Sequence, residues 1–134
     1  MKKRNKLKKK KRIVGKNNIS DIFCEYAHDY ITLGSNLEET KNYLNFACVA
    51  WNLSLYPEHD MKKKLKIVVN EYERLNPSTI NAEHLKHDIE KLIEKKIKTH
   101  PSINRLITKI SIEENESNYY ISTESTEFQL ADNK

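Results

Sequence analysis

Glycine is nearly missing from this chain, with two among 134 residues, and proline occurs three times. Two glycines cannot build a glycine-rich phosphate cradle, which excludes Walker-type and dinucleotide-binding loops. An all-β fold with many tight turns would need more of both residues, so the prior tilts towards helix. Cysteine is as scarce: Cys24 and Cys48 stand in separate apolar segments with no CxxC pair and no zinc spacing. They read as reduced core thiols in a reducing compartment. Long apolar runs are lacking too. The longest unbroken one, Phe46–Trp51, is far too short to span a bilayer. Ile13–Lys16 is too short for the apolar part of a signal peptide, Lys2 excludes N-myristoylation, and no prenylation box is present. The expectation is a soluble, cytoplasmic protein with no integral membrane association. GxSxG and HExxH motifs are also missing, and His84, His87 and His100, which could serve as general bases, have no partner nucleophile placed by the sequence, so no catalytic residue is assigned and enzymatic activity is not expected.

What is present in excess is positive charge at one end. Residues 1–12 hold nine of the 24 Lys/Arg and no acid, while the rest of the chain carries 15 basic against 19 acidic residues. Residues 13–112 are nearly balanced, and 113–134 hold six acids opposed by Lys134 alone. A basic tail on a neutral body is an appendage, whereas a basic body would suggest a docking surface. Three regions are expected: a disordered basic arm over 1–17, one globular domain over 18–125, and a flexible acidic end over 126–134.

Within that domain the hydrophobic period predicts four helices. Ile22/Phe23, Tyr26, Tyr30 and Leu33 mark the first, about 20–33, stopped by Gly34. Ser35–Glu38 reads as a capping box opening the second, about 36–56. Leu37, Leu44, Cys48, Trp51 and Leu55 share one face of that helix, widened by Phe46, Ala47, Ala50 and Leu53. It should be the central, enclosed helix. Met61, Leu65, Val68, Tyr72 and Leu75 form the seam of the third, about 58–76. Leu85, Ile89, Leu92, Ile93 and Ile97 form that of the fourth, about 81–99. After Pro101 the period changes. Leu106, Thr108, Ile110 and Ile112 alternate with Lys109, Ser111 and Glu113, and Tyr119–Thr123 is rich in β-formers, which predicts a C-terminal hairpin over about 104–125. The fold class expected is α-dominant α+β, with helices packed around the 36–56 segment.

Each candidate chemistry has a plainer counterpart. Lys2, Lys3, Arg4, Lys6, Lys8, Lys9, Lys10, Lys11 and Arg12 suit phosphate neutralisation, which gives salt-sensitive affinity without sequence specificity. A solubility tail, an anionic surface tether or contact with an acidic protein would use the same charges. Lys62, Lys63 and Lys66, outward on the third helix, are the best ordered supplement. Asn42, Asn45 and Asn52 beside Trp51 could read adenine edges, though a boundary strip where a core helix meets solvent is the simpler reading. Glu25-x-x-His28 resembles half of a di-metal carboxylate–histidine motif. The stripe Glu83, His87, Glu90 and Glu94 has the reverse order and faces away from the apolar seam, so no metal ligand is assigned and no cofactor is expected. The function expected is a small non-catalytic accessory protein binding nucleic acid, RNA ahead of DNA, through its arm, with the body making partner contacts. The alternative is a protein-interaction module, a small regulator, immunity or antitoxin-like partner, that uses the hairpin's free strand edges.

Overall fold

The computed structural model describes residues 11–78 and 81–129. Within them the chain is a helix-rich α+β arrangement of four helices and one three-stranded sheet. Its elements run β1 (Arg12–Gly15), α1 (Asn18–Ile31), α2 (Leu37–Leu53), α3 (Glu58–Leu75), α4 (Ala82–Thr99), β2 (Arg105–Glu114) and β3 (Asn118–Glu127).

Capping side chains set the helix starts. Asn17 Oδ1 accepts the Ser20 N–H at 2.8 Å, Asn36 Oδ1 the Glu39 N–H at 2.8 Å, and Asn81 Oδ1 the His84 N–H at 3.1 Å, which satisfies donors the first helical turn leaves unpaired. The box at α2 is therefore one residue later than the sequence suggests. Glu39 rather than Glu38 reaches back, accepting from the Ser35 N–H at 2.9 Å.

In the sheet β3 lies between β1 and β2, antiparallel to β2 and parallel to β1. Strand β1 falls inside the segment expected to be a disordered arm, so order begins earlier than residue 18. Ile13 packs against the core and Arg12 aligns with Asn118 of β3. Four residues suffice because a preformed strand supplies the ladder. At the other end Thr126 and Glu127 belong to β3, and Phe128 exchanges hydrogen bonds with Asn104 and meets the Tyr56 ring edge-on at 4.9 Å. Regular structure therefore continues past residue 126, into the segment expected to be a flexible end. Residues 130–134 lie outside the described residues.

The core joins α1 (Phe23, Tyr26, Ala27, Ile31), α2 (Leu44, Ala47, Ala50, Trp51) and α4 (Leu85, Ile89, Leu92, Ile93) to Ile107 and Ile121 of the sheet. Phe23, Tyr26 and Trp51 meet with centroids 5.2–5.9 Å apart, the tilted and edge-on geometry aromatic quadrupoles favour. The Tyr26 hydroxyl donates to the Ala47 carbonyl at 2.9 Å.

Three places depart from the periodic expectation. A register shift between Ile107 and Lys109 leaves Thr108 as an extra residue on β2. Such a bulge reverses the side-chain phase, so Ile107 is buried while Thr108 is exposed and donates to the Glu124 carbonyl at 3.1 Å. In α3 the buried positions are Leu65 and Val69, and Leu75 is 60% exposed. In the last turn of α4, Lys96 is buried and Ile97 is exposed. The Lys96 Nζ donates to the carbonyls of His100 at 3.0 Å and Ile103 at 2.8 Å.

Candidate functional site

Of the residues proposed for phosphate contact, those described lie on two separate elements, Lys11 and Arg12 at β1 and Lys62, Lys63 and Lys66 on α3. Lys2, Lys3, Arg4, Lys6, Lys8, Lys9 and Lys10 lie outside the described residues. Lys11 is tied to the β2–β3 turn: its Nζ donates to the Asn115 carbonyl, pairs with the Glu114 carboxylate at 3.4 Å and lies 5.8 Å from the Tyr119 ring centroid. Arg12 is exposed at the start of β1. Lys62, Lys63 and Lys66 are exposed on α3, with Lys62 paired to Glu58 at 3.3 Å. Lys64 lies 4.7 Å from the Tyr56 ring centroid. Lys11 thus serves as the fixed root of the basic segment.

The asparagine strip of α2 divides. The Asn52 carboxamide faces the sheet: its Nδ2 donates to the Ile107 carbonyl at 2.9 Å, and its Oδ1 accepts the Ile107 N–H at 2.9 Å. Trp51 Nε1 donates to the Arg105 carbonyl at 2.8 Å. The two side chains take the place of a neighbouring strand at the start of β2's outer edge, and β1 pairs with the other edge of β3. Of the hairpin's two edges, that of β3 is therefore paired with β1, while β2 remains an edge strand that these side chains engage only at Arg105 and Ile107. The sheet's other edge strand is β1. There an open cleft of about 590 Å³ runs along Arg12–Gly15 beneath Asp21, Glu25 and Asp29 of α1.

Asn42 and Asn45 lie elsewhere, in a cleft of about 390 Å³ between the end of α1, the first half of α2 and the end of α3. Four half-buried rings line it. Tyr30 stacks on Phe46 at 6.0 Å with planes 11° apart, Tyr43 meets Tyr30 edge-on at 4.8 Å, and Tyr72 meets Phe46 edge-on at 5.1 Å. Asn76 closes one side and is held by its Nδ2 donating to the Tyr72 carbonyl at 3.2 Å. Burial, then the charge of Asp88 and the Tyr43 and Tyr72 phenols, raise the Tyr30 pKa. Burial, then Cys48, raises that of Tyr72. Sequence reasoning singled out the asparagines but missed the rings, because three helices contribute them and helical spacing alone assigns each to its own seam.

Titratable groups elsewhere are dispersed. The Glu25 carboxylate lies 3.6 Å from His100 Nε2 and His28 Nδ1 lies 3.5 Å from Asp29. Glu83, His87, Glu90 and Glu94 are exposed along α4. Among the described residues no group of three or more His, Cys, Asp or Glu is placed to hold a metal ion, and no helix is long and apolar enough to cross a membrane. Comparisons with family models, curated proteins and solved structures find no significant match to this chain.

Proposed function

We propose that this chain is a non-catalytic accessory protein that binds nucleic acid, RNA ahead of DNA, through the basic segment rooted at Lys11, with a body organised around α2 making further contacts. The observation that carries the reading is the density of charge: nine Lys/Arg and no acid within residues 1–12. Each phosphate neutralised releases counterions, so binding weakens steeply with salt. Lys11 and Arg12 belong to the folded edge, which separates their structural duty from that of the seven basic residues before them.

The test keeps the chain at full length and replaces Lys2, Lys3, Arg4, Lys6, Lys8, Lys9 and Lys10 by Gln. Thermal unfolding should stay within about 1 °C, since exchanging one polar side chain for another removes no apolar surface from a core. The slope of log affinity against log salt for a single strand should flatten by up to about five, at roughly 0.7 for each phosphate no longer neutralised. Unchanged binding and slope would reject the reading.

A second reading, a protein-interaction module, is favoured by the unpaired edge of β1 beside the acidic face of α1. The parallel ladder engages alternate residues, with Arg12 N–H donating to the Ser117 carbonyl and Lys16 N–H to that of Ile121. Ile13 and Gly15 are thereby left to offer their backbone groups outward. A partner bound by strand addition would protect the Ile13 and Gly15 amides from hydrogen exchange and would stay bound in high salt. Release of the partner on raising the salt would count against it.

A further inference from the structure

We propose that the cleft between α1, α2 and α3 holds an unpaired nucleobase of a single strand, stacked on the Tyr30–Tyr43–Phe46–Tyr72 rings and read at its edge by Asn42 and Asn45. The identity of the polymer rests on the function proposed above; the nucleobase site rests on its own geometry. Four part-exposed rings offer π-faces and edges together, and base stacking on such rings tolerates any base. No charged side chain lines the cleft, which suits a neutral heteroaromatic ring better than a phosphate.

The polar groups point the same way. The carboxamides of the exposed Asn42 and Asn45, and the hydroxyls of the half-buried Tyr30 and Tyr72, make no hydrogen bond to another described residue and stay available at the cleft. Asn52, from the same helix, is fully engaged with Ile107. A carboxamide presents one donor and one acceptor side by side, the pattern that matches the N6 and N7 positions of adenine. A desolvated phenol without a partner adds a donor at the cleft wall. Aromatic grooves also take proline-rich peptides, but the free carboxamide pair favours a base edge.

Lys11 shares a second cleft, of about 620 Å³, with Ile31, Thr32 and Leu37 around the α1–α2 turn. Tyr30, which lines the aromatic cleft, is the chain neighbour of Ile31.

The probe is adenosine, which has no phosphate and so cannot be held by the basic segment. Binding to the full-length chain, followed by tyrosine fluorescence and by chemical-shift changes at Tyr43 and Asn45, should be insensitive to salt. Tyr43→Ala should weaken it about tenfold. Asn45→Ala, at an exposed position that leaves the core untouched, should favour adenosine over uridine less. The same variants should lose preference for a short oligoadenylate over a duplex of equal length and keep the salt slope. Absence of adenosine shifts at the cleft, or shifts caused by a proline-rich peptide and not by adenosine, would overturn the nucleobase site even if the chain binds polyanions. Adenosine binding in a chain that binds no polyanion would uphold the site and reject the polymer.

Discussion

The Nζ of Lys96 lies 4.7 Å from the centroid of the Trp51 ring, and the pair closes the core where α4 gives way to β2. The ammonium satisfies two carbonyls beyond the helix end and sets its charge against an aromatic face. Its burial lowers its pKa. Lys96→Ala should cost about 2–3 kcal/mol in urea unfolding, from the cavity and the two orphaned carbonyls. Lys96→Met should cost about 1 kcal/mol, because it refills the space without burying a charge. Equal stability of Lys96→Ala and wild type would show that the lysine is not part of the core.

Asn52 acts as a short substitute for a neighbouring strand. Asn52→Ala should lower stability by about 1–3 kcal/mol, since both backbone groups of Ile107 lose their partner. Hydrogen exchange at the Ile107 amide should accelerate more than at Ile121, in the middle strand. Uniform acceleration across the sheet would mean that Asn52 supports the fold generally rather than this edge.

Alkaline pH should unfold the protein early. Burial, then the charge of Asp21, pushes the Cys24 thiol up to about 12. Burial pushes Cys48 up to about 11, and burial chiefly raises the Tyr26, Tyr30 and Tyr72 phenols. The unfolded chain releases these protons near the ordinary values of 9.0 for thiols and 10.0 for phenols, while the folded state keeps them. Stability therefore falls as pH rises above the unfolded values. Lys96, with its lowered pKa, works in the opposite direction up to its unfolded value of 10.5, one group against five. Urea unfolding should show a decrease of at least about 2 kcal/mol between about pH 8 and pH 11. A flat profile would mean that the thiols and phenols are solvated in the folded state.

Gly15 ends β1 where α1 crosses it. A Cβ there would lie 2.5 Å from the Asp21 backbone nitrogen and 2.6 Å from the Ser20 carbonyl carbon, both parts of a rigid helical turn. Ser20, fully buried, accepts the Thr123 N–H at 2.9 Å and cannot yield without breaking that bond. Gly15→Ala should cost about 1–3 kcal/mol, read as a lowered melting temperature. An unchanged melting temperature would show that β1 and α1 can separate freely.

The helices and the α+β class are legible because their signals are local: Ile22, Phe23, Tyr26 and Tyr30 repeat within one helix, and Ile110 and Ile112 alternate within one strand. Other features depend on distant residues. Ile13 and Val14 follow a run of charge and become a strand only through β3. Thr108 breaks an alternation that composition does not mark. Lys96 and Ile97 exchange their expected places because two carbonyls and an indole face can take up a lysine. The asparagines of α2 are visible as a strip, yet only the packed helices separate Asn52, spent on Ile107, from Asn42 and Asn45 in the aromatic cleft.

The parallel pairing of Arg12 with Asn118 joins a segment made before the four helices to one made after them. A growing chain on the ribosome carries β1 out first and must hold it without its ladder until β3 follows, with α1–α4 emerging in between. The polar, four-residue length of β1 limits the sticky edge left waiting during that interval. Closure of the sheet then waits for β3 to follow all four helices, and only that closure anchors the root of the basic segment at Lys11.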